Sequence, residues 1–367
     1  MSASNRWAAV LAGGAGTRFW PASRSRRPKP FIDMLGRGPL IELTVNRIVP
    51  LVPRERVLFV VGEHLVDLTR DAVAPCIERC FVVEPVARNT LGAVLLAMGR
   101  ILSEDPDGLM IMLPSDHLIS NLDLFGRVVD HAFRLAARYT VALGIRPTKP
   151  ETGYGYIKEG AALPGEEGRS KDPAVPSARK VDRFVEKPDL ATAQGFLDQG
   201  GYYWNSGMFI FSVPVFLRQI EKVEPGYADV VRRTADLYRT RAATREALMS
   251  LLESLPNLNI DKAVMERCDN MVVLPAHFPW SDVGTWDAVF EERGGGDNFV
   301  LGDVLLDGVS DSVVVADDGG PAVAVQGLSD VIVVSTRDAV LVARRGHGQD
   351  VGRLVQKLRE MGREELL

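Results

Sequence analysis

Short, almost unbroken apolar runs mark the first part of the chain, at residues 7–12, 56–61, 81–83, 109–113 and 140–144. Runs of this kind predict strands buried on both faces. The stretches between them, 39–49, 64–74, 89–102 and 122–137, carry apolar residues at helical spacing, as with Leu91, Val94, Leu95 and Met98. Asn89 and Thr90 are suited to capping the third of these helices. Strands alternating with helices predict a parallel sheet wound with helices on both faces, in which ligands sit beyond the carboxyl ends of the strands. The glycine-rich loop after Ala12 and residues 84–90 and 114–117 all follow strand ends, so they are expected to line one crevice.

From Pro147 the pattern changes. Residues 151–157 read as a turn entering a strand, and 161–176, rich in Gly, Pro and charge, as a mobile surface loop. Residues 179–187 alternate as a strand, 190–197 are helical, 202–211 hold an aromatic-rich turn and a strand, 213–255 are mostly helical, and 271–274 form another strand. Beyond Gly294-Gly295-Gly296, short valine-rich runs separated by Gly, Asp and Ser predict a small all-β domain. A β-solenoid is compatible with the spacing, although no strict repeat is visible. Residues 349–361 close the chain as an amphipathic helix. The expected division is 1–294 and 297–367.

At 367 residues, 46% hydrophobic and 25% charged, the chain has the composition of a globular protein able to bury a large core. Cys76, Cys80 and Cys268 are too few and too irregularly spaced for a disulfide framework or a zinc site, and read as reduced thiols in a cytoplasmic protein. The N-terminal apolar run is too short for a signal-peptide core and lacks a basic leader. No stretch approaches the ~20 apolar residues of a membrane span. A net charge of -5 argues against a general nucleic-acid binder.

Against that acidity, Arg18, Arg24, Arg26, Arg27 and Lys29 follow the turn Gly13-Gly14-Ala15-Gly16 with no acid among them. Free N–H groups in such a turn make an anion-binding concavity, and the cations turn it into a cradle for a polyphosphate. It is neither a P-loop, since no Gly-Lys-Ser/Thr follows, nor a good dinucleotide fingerprint, since Phe19 stands at the third glycine position. Arg26 and Arg27 read equally as a solvated face. Asp116, at the end of a buried strand, suits Mg²⁺ or a turn cap; Asp282, between two tryptophans, reads as a second carboxylate for that metal or as a cap. His117 reads as a phosphate contact or a satisfied local histidine. Glu186 can accept hydrogen bonds from sugar hydroxyls and Lys187 can hold a phosphate, or the two form a surface ion pair. Residues 202–209 join an aromatic wall to the Asn205 amide, a combination suited to sugar or to core. No Ser-His-Asp set or Cys-His pair is present. The available chemistry is metal-assisted displacement at phosphorus, with charge neutralised by Lys29 and Arg18.

The stretch Gly-Gly-x-Gly-Thr-Arg-x-Trp-Pro-x-Ser-Arg…Pro-Lys-x-Phe at 13–31 resembles the signature of the sugar-nucleotide pyrophosphorylases, in the form of the mannose-1-phosphate guanylyltransferase branch. Glu84-Pro85…Arg88-Asn89-Thr90, Leu113-Pro114-Ser115-Asp116-His117, Gly153-Tyr154-Gly155-Tyr156-Ile157, Phe184 to Pro188, Trp204 to Phe209 and Trp280 to Trp286 agree in order over essentially the whole chain. The resemblance implies a Rossmann-like mixed, mostly parallel α/β sheet flanked by helices and a small left-handed β-helix-like C-terminal domain. It implies conversion of GTP and mannose 1-phosphate to GDP-mannose and pyrophosphate with Mg²⁺ by direct in-line attack, no nucleic-acid or membrane partner, and a homodimer through the C-terminal β domain. It also implies nucleotide contacts at Leu11, Ala12, Gly13, Gly14, Gly16 and Thr17, phosphate chemistry at Arg18 and Lys29, and base recognition near Arg88, Asn89 and Thr90. Metal ligation falls to Asp116 and Asp282, and sugar-phosphate binding to Tyr154, Gly155, Glu186, Lys187 and Asn205. Departures from the pattern are Ser115 for alanine and Leu91-Gly92 for Ala-Pro. The length leaves no room for the isomerase domain fused onto some relatives, so no isomerase activity is expected. The alternatives are a pyrophosphorylase for another sugar 1-phosphate or nucleotide, and a non-catalytic nucleotide-sugar sensor.

Overall fold

The computed structural model describes residues 5–14, 16–73, 80–292 and 296–367. Ala15 of the glycine loop, Ala74 at the end of an expected helix, Cys76, and residues 294–295 of the expected boundary lie outside them. In chain order the strands of the larger part are β1 (Arg6–Leu11), β2 (Val57–Gly62), β3 (Phe81–Glu84), β4 (Leu109–Pro114), the two-residue β5 (Leu118–Ile119), β6 (Thr140–Ile145), β7 (Tyr156–Ala162), β8 (Arg179–Val185), β9 (Tyr202–Ser212), β10 (Met271–Ala276) and the two-residue β11 (Trp280–Ser281). The helices are α1 (Leu40–Ile48), α2 (Val66–Ala72), α3 (Asn89–Glu104), α4 (Leu122–Ala136), α5 (Leu190–Gln199), α6 (Val213–Val223), α7 (Pro225–Arg239), α8 (Arg245–Glu253), α9 (Ile260–Ala263) and α10 (Trp286–Glu291).

A nine-stranded sheet runs β3-β2-β1-β4-β9-β6-β10-β8-β7. The β3-β2-β1-β4 and β6–β10 pairings are parallel, while β9 runs antiparallel to both β4 and β6. The unbroken apolarity of β1 follows from its two faces. Ala8 and Val10 enter a core shared with α1 and α4; Trp7, Ala9 and Leu11 enter another shared with α3, α6 and α7. Strand β9 divides likewise, with Met208 and Ile210 on one face and Phe209 and Phe211 on the other. Burying each such side chain fully contributes about 1.5–3 kcal/mol. Segment 161–176 departs from the expected mobile loop: β7 runs through Ala162, and Leu163 and Val175 are buried in the main core.

The C-terminal part is a parallel coil. It comprises β12 (Phe299–Leu301), β13 (Val304–Asp307), β14 (Val313–Ala316), β15 (Val323–Gln326), β16 (Val331–Ser335) and β17 (Val340–Arg344), followed by α11 (Val351–Glu360). Strands β12, β14 and β16 stack in parallel, as do β13 and β15, and β17 closes the first stack antiparallel. Paired positions lie 19 residues apart between β13 and β15 and between β14 and β16, and 14 apart between β12 and β14; Gln326 Nε2 donates to Asp307 Oδ2 at 2.8 Å. Val314 and Val333 face inward to β15. Val313, Val315, Ile332 and Val334 face the larger part, where they share one core with Phe19, Trp20, Ile32, Met34 and Trp286. The loop that follows the glycines is thus anchored on the C-terminal coil.

Candidate active site

Gly16 begins the site. Its φ of 57° is left-handed, and a Cβ there would stand 2.4 Å from Lys29 Cβ, so any side chain would collide with Lys29. Residues Thr17–Phe19 then make a short turn that exposes Arg18 and buries Phe19 edge-on against Trp286, with centroids 5.1 Å apart. Lys29 is 7% exposed. Its Nζ donates to Asp116 Oδ2 at 2.8 Å and to the Asp282 carbonyl. Burial is the largest influence on Asp116 and opposes its ionisation, but the Lys29 ammonium, His117 and the hydrogen bonds to the carboxylate together hold the carboxyl below its ordinary value. Beneath the 114–117 loop, buried Arg47 donates to the His117 carbonyl at 2.7 Å. His117 lines the cavity beside Asp282 and is bonded at Nδ1, which leaves its Nε2 facing either a local or a substrate partner. Burial pushes its imidazole down to about 4, and Nδ1 accepts from Trp280 Nε1 at 3.2 Å, so the neutral ring carries its proton on Nε2.

Asp282 sits in a strained turn. Val283, β-branched and fully buried, has φ 43°, a conformation such residues rarely hold without surrounding constraint. Asp282 Oδ1 accepts from the Tyr154 hydroxyl at 2.6 Å. Burial and then the Asp282 charge drive the Tyr154 hydroxyl far up, fixing it as a donor. No group of three or more His, Cys, Asp or Glu able to hold a metal occurs among the described residues. Asp116 and Asp282 are instead a two-carboxylate set, which suits a hard divalent cation completed by water and substrate phosphate oxygens.

Three cavities meet around this loop. One of about 490 Å³ is lined by Ala12, Gly13, Gly14, Gly62 and Glu84. One of about 290 Å³ is lined by Gly16, Thr17, Arg18, Lys29, Asp116 and Asp282. The third, about 220 Å³, is lined by Tyr154, Gly155, Glu186, Lys187, Asn205 and Asp282, with Leu11 and Thr90 at its wall. A Cβ at Gly155 would stand 2.7 Å from Glu186 Oε2 and 3.2 Å from Asn205 Cβ, so a side chain there would displace the Glu186 carboxylate from that wall. Glu186 Oε1 accepts from Asn259 Nδ2 at 3.0 Å and pairs with Lys187 Nζ at 3.2 Å; Lys187 is more than half exposed and has φ 51°. Asn205 Nδ2 donates to Asp261 Oδ1 at 2.8 Å and its Oδ1 accepts from Gly207 N at 2.9 Å.

The sequence matches two family models: Nucleotidyl transferase over residues 7–294, and the MannoseP isomerase/GMP-like beta-helix domain over residues 303–358. The chain belongs to the nucleotidyl transferase family. Among relatives of this nucleotidyl transferase, the Xanthan biosynthesis protein XanB of Xanthomonas campestris pv. campestris (strain B100) is 37% identical, with 97% of this chain and 74% of that protein covered. The Mannose-1-phosphate guanylyltransferase of Escherichia coli (strain K12) is 35% identical, covering 100% of this chain and 76% of that one. A crystal structure described as a mannose-1-phosphate geranyltransferase from Thermus thermophilus superposes with a TM-score of 0.83 at 33% identity, covering 97% of this chain and 99% of that one.

Arg88, Asn89 and Thr90 are engaged at the start of α3. Arg88 Nε donates to the Leu252 carbonyl at 3.1 Å, Asn89 Oδ1 accepts from Thr90 N at 2.8 Å, and Thr90 Oγ1 accepts from Ile260 N at 2.9 Å. Two further arginines of the signature loop also find partners. Arg24 bonds the Leu366 carbonyl and Asp338 Oδ1, the latter at 2.9 Å, and Trp20 Nε1 donates to the same Leu366 carbonyl at 2.8 Å. Arg27 pairs with Asp317 at 3.0 Å, while Arg26 is exposed. Arg24→Ala is expected to lower the unfolding free energy by about 1–3 kcal/mol in chemical denaturation. Arg26→Ala should stay within about 0.5 kcal/mol.

Asn259, Asp261 and Glu266, whose carboxylate accepts from Glu186 N at 2.9 Å, escaped the sequence reading because the first two look like an ordinary helix cap and first turn and the third lies in the short turn that follows. Burial, and then the Glu186 charge, push the Asp261 carboxyl up to about 7. The folded protein therefore holds a proton that the unfolded chain releases. This contribution favours folding below the ordinary Asp range and is lost as pH rises through the folded value, so stability falls between about pH 4 and 7. Asp261→Asn should flatten that fall in urea unfolding measured on both sides of the interval.

Proposed function

We propose that the chain catalyses GTP + mannose 1-phosphate → GDP-mannose + pyrophosphate. The observation that carries this reading is buried Lys29, held between Asp116 and the Asp282 carbonyl in a cation-lined cavity that shares Asp282 with the cavity of Tyr154, Gly155, Glu186 and Asn205. The nucleoside occupies the cavity of about 490 Å³, with Gly13, Gly14, Gly16 and Thr17 offering backbone to the triphosphate. The sugar sits against Tyr154, Gly155, Glu186 and Asn205, and Lys187 turns its ammonium to the sugar phosphate. A mannosyl phosphate oxygen bonds to the α-phosphorus as the bond from that phosphorus to the β-phosphate bridging oxygen breaks, and the electron pair leaves with pyrophosphate. Lys29 lies on the reacting phosphoryl group and Arg18 on the departing phosphates, where charge grows in the transition state. Asp116 and Asp282 would hold Mg²⁺, which would supply Lewis-acid chemistry to the phosphates. No protein nucleophile is needed.

Residues 1–294 carry the chemistry and 297–367 brace the signature loop. A homodimer pairs through the C-terminal coil, where Val340 and Val342 of β17 are 55% and 65% exposed. The cytoplasm is the compartment we assign; Cys268 is a free thiol, and no helix among the described residues is long and apolar enough to cross a membrane. Pyrophosphate release from a panel of nucleoside triphosphates and sugar 1-phosphates tests the activity. GTP with mannose 1-phosphate should give the highest kcat/KM, and no release from that pair would overturn it.

A further inference from the structure

We propose that a cavity at the carboxyl end of α4 binds a phosphate dianion, free or as the monoester of a small molecule. This site is separate from the catalytic one and does not rest on the guanylyltransferase reading. The cavity measures about 240 Å³, and Arg134, Arg138, Arg169 and Lys171 line it. Arg134 lies in the last turn of α4 and Arg138 just beyond it, while Arg169 and Lys171 come from the segment between β7 and β8. Tyr139, on the same wall, immediately precedes β6. Strand β9 runs antiparallel to both β4 and β6, so those two strands share a direction. The cavity therefore lies at the start of β6, at the edge of the sheet opposite the 114–117 loop.

Three of the four cations are held in place by neighbours. His131 is buried, and its ring bridges the loop and the helix: Nε2 donates to the Gly168 carbonyl at 3.2 Å, and Nδ1 accepts from Arg134 Nη2 at 3.2 Å. Burial holds this imidazole below its ordinary value, in keeping with a neutral ring that fixes Arg134 without cancelling its charge. The Tyr139 hydroxyl donates to Glu167 Oε2 at 2.9 Å, and Glu167 pairs with Arg138. Arg169 pairs with Glu166 at 3.1 Å. Arg134 and Lys171 make no ion pair among the described residues, and Asp172, beside Lys171, is turned to Arg127 at 3.3 Å. Two positive charges thus stay uncompensated, and the roughly half negative charge at the carboxyl end of α4 leaves the balance positive. A dianion answers both. A guanidinium supplies directed N–H donors and an ammonium a point charge, the combination that binds phosphate. The volume is close to the 220 Å³ of the cavity lined by Glu186 and Asn205, so it admits a small monoester as well as free phosphate.

Hydrogen exchange followed by mass spectrometry reads this site locally and without reference to activity. Ionic strength is held constant with chloride, so that general screening does not change between samples. Inorganic phosphate, and glucose 6-phosphate in a parallel series, should slow exchange of the backbone amides at 166–171 in the native protein. Slowing by inorganic phosphate alone supports a free-phosphate site, and slowing by both supports one that accepts a monoester. Arg134 and Lys171 are exposed, so the double variant Arg134→Ala/Lys171→Ala should keep its fold. In that variant the concentration giving half of the effect should rise by about tenfold or more, the loss expected for hydrogen bonds to charged groups. No slowing with either probe overturns the proposal. An equal response in the double variant also overturns it, because the effect would then come from phosphate bound elsewhere, as at Arg18 and Lys29.

Discussion

Lys29→Met is expected to lower kcat by about 10²- to 10³-fold, the loss typical of a preorganised group aimed at developing charge. The side chain is nearly buried and makes its hydrogen bonds through Nζ, to Asp116 and to the Asp282 carbonyl. Methionine keeps most of the volume and removes only the charge and the donors. KM for GTP should change much less than kcat, because the ammonium acts where charge builds at the α-phosphorus rather than on the whole triphosphate. Lys29→Arg tests geometry at constant charge. A planar fork cannot reproduce a point charge seated between a carboxylate and a carbonyl, so activity should remain well below that of the native protein. Steady-state kinetics checks both variants, with melting temperature as the control for folding. Native-like kcat in Lys29→Met would remove Lys29 from the chemistry.

Asp116→Asn and Asp282→Asn should each reduce turnover at saturating Mg²⁺ by about 10²-fold or more, since each removes half of the proposed protein ligation. The two should differ in a second readout. Asp116→Asn also deprives Lys29 of its ion pair, whereas Asp282→Asn leaves the Lys29–Asp116 pair and the Asp282 carbonyl contact intact. The Asp282 variant should therefore recover more activity when Mg²⁺ is raised or replaced by Mn²⁺. Metal-titration curves that match the native protein in both variants would assign the metal elsewhere.

The apolar runs at β1, β2 and β4 were legible because strands buried on both faces have no polar side to interrupt them. The direction of β9 was not legible: its side chains alternate between two apolar cores, and nothing in that pattern records which way the strand runs. The 161–176 segment was read from its Gly, Pro and charged residues, and isolated Leu163 and Val175 gave no periodic signal although both are buried. The candidate site was legible where chemistry dictates residue type: Gly16, Lys29, Asp116 and Asp282, singled out from the sequence, line one cavity. It was obscure wherever a residue acts through another. Asp261 and Asn259 hold Asn205 and Glu186 across gaps of 56 and 73 residues. Arg24 reaches Asp338 and Leu366 across more than 300. Such pairings are set by tertiary packing, and their local sequence is that of a cap or a solvated face.

In the proposed mechanism one site joins two substrates in a single displacement around Lys29. A single-turnover experiment with purified protein, Mg²⁺ and GTP labelled at the α-phosphorus, run with and without mannose 1-phosphate, tests it most directly. The label should pass to GDP-mannose with an equal amount of pyrophosphate only when mannose 1-phosphate is present, and none should become bound to the protein. Pyrophosphate release without the sugar phosphate, or label covalently held by the protein, would contradict a direct displacement.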